Sequence, residues 1–550
     1  MGIYLNGISA FELFRDESEA TFFIDKSDIF KELVPIVESK KIKPDEKGKN
    51  LKYVCITRPR RFGKTVMANM ITSYFSKGVD SKKVFDELSV SKQPWYESHL
   101  NKHNVIHIMF NETPDDCRSY AEYINRIRNI LVKDLSKAYP EAGLDPSEAL
   151  WDILREIYEY SQGERFVFVL DEWDFIFHQD YVTEDDKKKF TVFLSNLLKD
   201  KAYLEMVYMT GILPIAKYSS GSELNMFCEY TMVSEERYSE SFGFTESEVD
   251  RLYQRFTKLN EKNRKVSREG LKEWYDGYHT KNGERVYNPR SVVLALENNN
   301  MGNYWTSSGP YDELFYYIGA NVDEVKTDVA KLISGIPVKA NVCEYAATSL
   351  ELKTRDEIFS AMVVYGFLNY ENGYVSIPNR ELMEKFSQMA ERESSLGNVY
   401  RLVSVSEKML MATRNGDTKM MEDILQYTHD TESPLLFYNN EEELSSIINL
   451  VYLKARDYYR IEREDKAGIG YVDYIFYPYN KSDDCIIIEL KVDHTADEAI
   501  QQIKDKKYSL RFEGKIGENP EYTGRIIAAG IAYSKKDPKK KHECKVVRLR

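Results

Sequence analysis

Alternating apolar and polar positions near the carboxyl end of the chain predict two neighbouring β-strands. Residues 485–491 place Glu489 and Lys491 on one face, while isoleucine and leucine side chains occupy the other. Residues 471–476 form a second apolar strand, which carries Asp473. The stretch between the strands is rich in turn-forming residues, so we expect a hairpin. Such a hairpin brings the three charged side chains together.

Continuous apolar runs in the amino-terminal half predict strands that are buried on both faces. The predicted strands are residues 53–57, 105–110, 166–170, 206–210 and 229–233. Helical patterns separate these runs along the chain. That alternation is typical of an α/β domain with a parallel sheet.

Helical spacing of apolar residues predicts a helix on each side of the carboxyl-terminal hairpin. The segment that opens at Asn439 has acidic residues in its first turn, and its apolar positions recur at helical intervals. Residues 496–508 form the second predicted helix, along which Gln502, Lys506 and Tyr508 lie near one another. Each pattern alone is also compatible with an ordinary amphipathic helix.

The middle of the chain shows helical spacing with many aromatic residues, including Trp274-Tyr275-Asp276-Gly277-Tyr278. Aromatic residues at helical intervals usually fill cores, so we assign this region to packing and signal relay. A chain of 550 residues is too long for one ordinary core. We therefore predict three domains, at residues 1–235, 236–425 and 426–550.

The first buried strand leads into a pattern that suits phosphate binding. The tract Arg58-Pro59-Arg60-Arg61-Phe62-Gly63-Lys64-Thr65 follows residues 53–57, and a helical pattern begins at Val66. In such a loop backbone amides hold phosphates, the lysine reaches the β and γ groups, and the hydroxyl holds Mg²⁺. Arg58 replaces the usual first glycine, and Pro59 has no N–H. The pattern alone therefore leaves a basic loop as an alternative.

The strand at residues 166–170 ends in two carboxylates that suit nucleotide hydrolysis. Asp171 would hold the Mg²⁺ shell, and Glu172 would polarise the attacking water. Thr210 ends the next strand, where a polar sensor of the γ-phosphate usually sits in additional-strand ATPases. A structural role for this threonine is the alternative.

The charged trio at the carboxyl end suits phosphodiester cleavage. Asp473 and Glu489 offer hard oxygen ligands for one Mg²⁺, which would polarise a phosphate and lower the pKa of a bound water. Lys491 would orient that water or neutralise developing charge. A solvated strand face or a surface ion pair is the alternative for these residues taken alone.

Composition narrows the class of protein without adding a site. The net charge of −13 argues against a general nucleic-acid coat but leaves room for a local basic channel. The six cysteines show no metal-binding or disulfide spacing, and we expect buried thiols. No long apolar run or secretory leader is evident, so we predict a cytoplasmic protein without a membrane partner.

The order of helix, strand with Asp473, strand with Glu489 and Lys491, and helix with Gln502 resembles the PD-(D/E)xK nuclease superfamily. The resemblance implies Asp473 and Glu489 as ligands of Mg²⁺ or Mn²⁺ and Lys491 as the catalytic lysine. It also implies Gln502 and Tyr508 as supporting groups, with nucleic acid, DNA rather than RNA, as the partner. The tract Tyr438-Asn439-Asn440-Glu441 implies Glu441 as the acidic residue of the first helix.

The amino-terminal half resembles the AAA-ATPase-like family, in which the Arg-Pro-Arg-Arg-Phe-Gly-Lys form is the usual loop. The tracts that carry the resemblance are Phe23-Ile24-Asp25-Lys26-Ser27, residues 57–64, Thr210-Gly211-Ile212-Leu213-Pro214 and Leu224-Asn225-Met226-Phe227. The resemblance implies ATP and Mg²⁺ as cofactors, with Mg²⁺ at Thr65 and Asp171. It further implies that nucleotide is bound by Arg58, Arg60, Arg61, Gly63, Lys64, Thr65, Asp171 and Thr210. For Arg60 and Arg61, contact with a neighbouring subunit or with solvent stays open.

Together the two resemblances imply an α/β chain with a P-loop NTPase domain of the additional-strand (ASCE) type, a helical middle region and a restriction-endonuclease-like domain. Members of the AAA-ATPase-like family commonly carry such a carboxyl-terminal domain, and the association suggests bacterial defence or mobile-element biology. A homo-oligomer is left open.

Three functions follow from this architecture. The first is a metal-dependent nuclease gated by ATP. The second is a signalling or remodelling ATPase whose carboxyl-terminal domain binds nucleic acid without cleaving it. The third is a nucleotide-binding scaffold without catalysis.

Overall fold

A computed structural model describes most of the chain. The described residues are 2–38, 51–215, 223–233, 236–305, 323–342, 354–392, 398–430, 441–467, 470–512, 521–535 and 541–550. They group into two compact units, one of Met1–Tyr317 with Lys339–Glu381, the other of Ile318–Val338 with Leu382–Arg550. The division into three domains at 235 and 425 stays a prediction.

A five-stranded parallel sheet forms the centre of the first unit. Its strands are β1 (Tyr53–Thr57), β2 (Asn104–Met109), β3 (Phe166–Asp171), β4 (Leu204–Gly211) and β5 (Cys228–Tyr230). They lie in the order β2-β3-β4-β1-β5, and every pairing is parallel. The predicted parallel sheet is thus confirmed, although β5 ends at Tyr230, before the predicted limit. Every residue of β3 is buried because helices cover both faces.

Helices before and between these strands supply the two apolar layers. Their bounds are Ser9–Ser18, Phe30–Glu38, Lys64–Phe75, Lys82–Phe85, Tyr96–His99, Tyr120–Ala138, Leu150–Tyr160 and Glu184–Leu198. Side-chain N-caps define where two of these helices begin. Ser119 accepts a hydrogen bond from the Glu122 N–H, and Thr183 forms a capping box with Asp186. Such caps satisfy N–H groups that a helix leaves without internal partners.

The middle region is mainly helical, as predicted, but it also contains short strands. The helices are Glu246–Leu259, Arg268–Tyr275, Pro289–Glu297, Asp323–Ile333, Arg355–Val364, Arg380–Arg392, Asn398–Ser404, Ser406–Asn415 and Thr418–Asp430. The strands are β6 (Phe244–Thr245), β7 (Tyr278–His279), β8 (Arg285–Tyr287), β9 (Val338–Lys339), β10 (Asn369–Glu371) and β11 (Tyr374–Ser376). Tyr275 and Tyr287 are fully buried, so aromatic residues of this region do fill a core.

A second five-stranded sheet forms the centre of the carboxyl-terminal part. Its strands are β12 (Tyr459–Ala467), β13 (Gly470–Pro478), β14 (Cys485–Val492), β15 (Ile526–Tyr533) and β16 (His542–Arg548), in chain order across the sheet. The β14–β15 pair is parallel and the others are antiparallel. The predicted hairpin of β13 and β14 is confirmed.

Both predicted helices around this hairpin are present, but one is shorter than expected. The helix Glu441–Val451 buries its apolar face, and Leu444, Ile448 and Val451 have no exposed surface. The second helix is Ala496–Asp505, so its predicted extension to Tyr508 is wrong by about one turn. Lys507 adopts a left-handed backbone with φ of 54°, which ends the helix. A separate 3₁₀ turn then begins at Tyr508.

The described residues bear on two further predictions, one about cysteines and one about membrane-spanning helices. The described cysteines are free thiols, and all but Cys117 are buried. No helix in the described ranges has the length and apolar character needed to cross a membrane.

Candidate nucleotide and metal sites

The loop after β1 turns sharply into a helix at Gly63. Arg61 and Gly63 have left-handed backbones, with φ of 68° and 86°, and Gly63 is the N-cap of the helix Lys64–Phe75. Glycine adopts such a φ without the steric cost that a Cβ imposes. The turn aims the first N–H groups of the helix into the loop, as phosphate binding requires. Thr65 lies in the first turn and is half-buried.

Lys64 lies inside this loop. Its Nζ donates hydrogen bonds to the carbonyl oxygens of Arg58 and Pro59, at 2.9 Å each. Burial lowers the pKa of Lys64 to about 8, although nearby carboxylates, that of Asp174 first, act in the opposite direction. An anion placed in the loop would relieve this desolvation because it favours the charged amine. The role of Lys64 as a phosphate ligand stays a prediction, which its burial inside the loop suits.

Three predicted residues meet at the carboxyl edge of neighbouring strands β3 and β4. Thr210 Oγ1 donates to Asp171 Oδ1, which also accepts the Glu172 N–H at 3.1 Å. Asp171 Oδ2 is buried and has no hydrogen-bond partner in the described part of the chain. An orphaned buried carboxylate oxygen is costly, and a Mg²⁺ shell would satisfy it. The residues present therefore fit the predicted metal.

Glu172 has the surroundings of a catalytic carboxylate. Burial raises its pKa, the charge of Asp171 adds to the effect, and Lys64 opposes it. Its backbone is left-handed, with φ of 54°, which is unusual for a residue other than glycine. Such strained backbones cluster at functional sites, where surrounding contacts hold them.

Arg58 occupies the position of the missing first glycine, and its side chain turns toward the sheet. Nη1 donates to the carbonyl oxygens of Thr57 and Tyr230, at 2.8 Å each, and the guanidinium stacks 5.2 Å from the Phe242 ring. Only 2% of Arg58 is exposed. The arginine thus ties β1 to β5. Its contact with nucleotide stays a prediction.

Two charged residues that sequence reasoning missed lie close to this site. Asp174 accepts the N–H groups of Ile212 and Leu213, at 3.0 and 2.8 Å, and so links the turns after β3 and β4. Arg290 stands near Arg61, whose pKa is lowered by burial and then by Arg290 and Arg60. A cluster of like charges favours an anion between them. The sequence signals that could have identified them are an aspartate three residues after the end of β3 and the arginine that follows Tyr287-Asn288-Pro289.

A cavity that is partly open to solvent adjoins the start of the loop. One wall comes from the ends of β1, β4 and β5, and the other comes from the middle region. The lining residues are Thr57, Arg58, Pro59, Ile212, Pro214, Thr231, Met232, Val233, Tyr278, His279, Val363, Val364, Leu368, Asn369 and Tyr370. A mostly apolar wall with a few polar groups is typical of a site for a flat organic ring.

The carboxyl-terminal site is built on the β13–β14 pair. Tyr474 pairs with Ile488, so the next residues outward, Asp473 and Glu489, face each other across the strands. Asp473 Oδ2 accepts the Leu490 N–H at 2.7 Å, which fixes the aspartate against β14. Alternation along the sequence placed Glu489 and Lys491 on one face, and a hairpin was expected to bring Asp473 to them; in the structure Asp473 and Lys491 both lie beside Glu489.

Glu489 is the most perturbed group of this site. Burial raises its pKa to about 7, the charge of Asp473 adds to the effect, and Lys491 opposes it. Lys491 Nζ donates to Glu489 Oε1 at 3.1 Å, and Gln502 Nε2 donates to the same oxygen. Glu489 Oε2 is buried and has no hydrogen-bond partner among the described residues. A cation beside Oε2 would satisfy it and stabilise the ionised form.

Metal binding here would depend on two protein carboxylates. The described residues contain no group of three or more His, Cys, Asp or Glu side chains arranged to hold a metal. Mg²⁺ is commonly held by one or two carboxylates together with water and phosphate oxygens, so Asp473 and Glu489 fit it. Glu441 begins its helix as predicted, but its side chain lies outside the described residues.

Gln502 and Tyr508 support the site from the next helix and turn. Gln502 Nε2 lies 3.5 Å from Tyr508 Oη, and that hydroxyl donates to the Tyr471 carbonyl oxygen. The amide of Gln502 therefore spans Glu489 and Tyr508. Supporting groups of this kind hold a ligand carboxylate in one orientation.

Two family models match this chain, one at each end. A family model described as a predicted AAA-ATPase matches residues 6–220. A model of the PD-(D/E)XK nuclease superfamily matches residues 439–543. A curated relative, an uncharacterized protein in the vnfD 5′ region of Azotobacter chroococcum mcd 1, is 25% identical over 308 residues. That match covers 55% of this chain and 53% of the relative, so it spans about half of each.

Three solved structures are among those that show similarity to this chain. The Walker-type ATPase paby2304 of Pyrococcus abyssi is 12% identical with a TM-score of 0.37, covering 66% of this chain and 96% of that one. The Aeropyrum pernix ORC2 protein is 11% identical with a TM-score of 0.30, covering 61% and 87%. The STAND protein PH0952 of Pyrococcus horikoshii is 14% identical with a TM-score of 0.21, covering 74% and 48%.

The TM-scores of these three structures are too low to carry a functional argument. The two family matches instead overlap the two five-stranded sheets of the fold. The chain therefore carries an amino-terminal domain like those of the predicted AAA-ATPase family, over residues 6–220, and a carboxyl-terminal domain like those of the PD-(D/E)XK nuclease superfamily, over residues 439–543.

Proposed function

We propose that this protein binds and hydrolyses ATP and that the ATPase controls a metal-dependent nuclease, which cleaves phosphodiester bonds of nucleic acid. The observation that carries the proposal is that Asp473 of β13 lies against β14 beside Glu489, one of whose buried oxygens has no hydrogen-bond partner among the described residues. A role in bacterial defence or in mobile elements is part of the proposal and rests on family resemblance alone.

Four side chains would have separate roles in cleavage. Asp473 and Glu489 would hold a divalent cation, which supplies charge neutralisation at the scissile phosphate when it is bound. Lys491 is 17% exposed at its side chain, so it can reach both Glu489 and an attacking water. It would orient that water toward phosphorus as the bond to the departing oxygen breaks. Gln502 keeps Glu489 in place.

The nucleotide site would work through residues of the loop and the strand ends. Lys64 and the helix N-terminus would hold the β and γ phosphates, while Thr65 and Asp171 would hold Mg²⁺. Glu172 would orient the attacking water, and Thr210 supports Asp171 through its hydrogen bond. The base would enter the cavity beside Pro59, whose apolar walls suit a purine.

The direct test is incubation of the purified chain with DNA and with RNA, with and without ATP and with Mg²⁺ or Mn²⁺. The proposal expects cleavage that requires the metal and responds to ATP. Binding without cleavage under all conditions would favour the remodelling ATPase instead. If the purified chain neither hydrolyses ATP nor cleaves nucleic acid, the result would favour a nucleotide-binding scaffold without catalysis.

Coupling between the two activities has its own prediction. Lys64→Ala removes the amine that meets the phosphates, so we expect ATP to lose its effect on the cleavage rate. Basal metal-dependent cleavage should persist because Lys64 is not part of the second site. Cleavage assays with and without ATP measure this difference. ATP stimulation that survives Lys64→Ala would contradict the coupling.

The raised pKa of Glu489 predicts a pH-dependent cost in stability. The pKa of Glu489 in the folded state is about 7, above its ordinary value of 4.5, so between these values the folded state keeps a proton that the unfolded state has released. Stability from this group is therefore full below pH 4.5 and is lost as pH rises through 7. Above pH 7 the penalty reaches about 3 kcal/mol.

Glu489→Gln removes this penalty because the amide has no charge to desolvate. Without divalent metal, we expect the variant to melt at a higher temperature than the natural protein at pH 8, with a difference that shrinks toward pH 4.5. Calorimetry in EDTA at both pH values measures it. Glu407→Gln, at an exposed helix position, is the matched control. Equal melting temperatures of Glu489→Gln and the natural protein at pH 8 would contradict a desolvation penalty at the Glu489 carboxylate.

A further inference from the structure

The most exposed large apolar side chain of the described residues stands beside the proposed cleavage site. Tyr471 is 67% exposed and lies on β13 two residues before Asp473. Strand alternation puts both side chains on one face, about 7 Å apart along the strand. Burial of an aromatic ring is strongly favourable, so an exposed ring at this place offers a contact surface to a ligand.

The backbone that carries this ring is tied to Glu489. The Tyr471 carbonyl accepts the Tyr508 hydroxyl, and Gln502 Nε2 lies within hydrogen-bonding distance of both Tyr508 Oη and Glu489 Oε1. The ring therefore projects from a frame that is braced against the carboxylate. A ligand held on the ring would be held at a defined distance from Glu489.

Positive charge accompanies the ring on the same side of the site. Lys491 donates to Glu489, and Lys506 is exposed one turn beyond Gln502, whose carbonyl accepts its N–H at 3.0 Å. An aromatic platform next to lysines is the combination that binds single strands, because bases stack on the ring while phosphates meet the amines.

We propose that Tyr471 stacks an unpaired base next to the scissile phosphate, so that the site prefers single-stranded nucleic acid to an intact duplex. The inference rests on the proposed cleavage function of Asp473 and Glu489. In a duplex the base faces are stacked on their neighbours, and exposing one costs a few kcal/mol. The preference therefore follows from the ring and not from the carboxylates.

The test compares Tyr471→Ala, Tyr471→Phe and Tyr458→Ala in the full chain. Tyr458 is also exposed, at 47%, but precedes Tyr459, which pairs with Pro478 at the opposite end of the hairpin from Tyr471. Fluorescence anisotropy in EDTA would measure the affinity for labelled single strands of about 16 nucleotides and for the matching duplex. DNA and RNA of one sequence form separate arms, which identify the preferred sugar.

We expect Tyr471→Ala to weaken single-strand binding roughly fivefold to a hundredfold, the range typical of base stacking. Tyr471→Phe keeps the ring and should remain within about twofold, and Tyr458→Ala should not change the affinity. In cleavage assays with Mg²⁺, Tyr471→Ala should raise KM for single strands and leave kcat nearly unchanged. Melting temperatures should be unaltered because the ring is exposed.

The results separate this inference from the proposed function. If the natural protein cleaves nucleic acid but Tyr471→Ala binds single strands as tightly as the natural protein does, the stacking role of Tyr471 is overturned. The proposed nuclease function is unaffected by that result. Cleavage of duplex in preference to single strands also overturns the stacking role. A natural protein that neither binds nor cuts any of these substrates overturns both proposals.

Discussion

Replacing Glu489 with glutamine is expected to reduce metal-dependent phosphodiester cleavage by about a thousandfold or more. A lost metal ligand removes several kcal/mol of charge stabilisation, which corresponds to that factor in rate. Glutamine has the same shape, so the effect reports the lost charge and not a cavity. Initial rates on labelled DNA and RNA at saturating Mg²⁺ provide the measurement.

Two further variants show whether this loss belongs to the proposed site. Lys491→Met should also abolish most cleavage because the amine that orients the water is lost. Gln502→Ala should cost only about tenfold to a hundredfold, since the amide supports Glu489 and does not touch substrate. Glu407→Gln should leave the rate unchanged. Equal cleavage by Glu489→Gln and the natural protein would show that another site does the chemistry.

Glu172→Gln is expected to lower ATP turnover by about a hundredfold to ten-thousandfold while nucleotide binding is retained. The carboxylate that orients the attacking water is lost, but the loop that holds the phosphates is unchanged. Phosphate release and the affinity for a fluorescent ATP analogue measure the two effects separately. Unaltered turnover would contradict the role of Glu172.

Lys64→Ala is the variant with which Glu172→Gln is compared at the nucleotide site. It should lose binding and turnover together, because Lys64 is buried in the loop and would meet the phosphates directly. A chain in which Glu172→Gln loses binding as completely as Lys64→Ala would indicate that the glutamate is structural. A chain in which neither change matters would exclude ATP hydrolysis at this loop.

Local patterns were sufficient to predict most elements that carry the two sites. The apolar run at Tyr53–Thr57 and the alternation at Cys485–Val492 gave the strands because each pattern depends only on neighbouring residues. The order of elements then indicated the parallel sheet and the hairpin. The end of the helix at Asp505 was missed because it depends on the left-handed backbone of Lys507.

Contacts between distant residues were harder to predict. The guanidinium of Arg58 has two carbonyl partners, Thr57 and Tyr230, and the second is available only because β5 lies beside β1. Asp174 reaches the turn after β4 because β3 and β4 are neighbours in the sheet, and Arg290 comes near Arg61 from the first turn of the helix Pro289–Glu297. Such contacts depend on how distant segments pack together.

Sequence alone determined which residue types stand at the strand ends, because alternation and apolar runs are local properties of the chain. It therefore identified Lys64, Asp171, Asp473 and Glu489 as candidates for two chemistries. Only the tertiary structure decided their electrostatic state. Burial lowers the pKa of Lys64 to about 8 and, with the charge of Asp473, raises that of Glu489 to about 7, because desolvation depends on everything packed around a group.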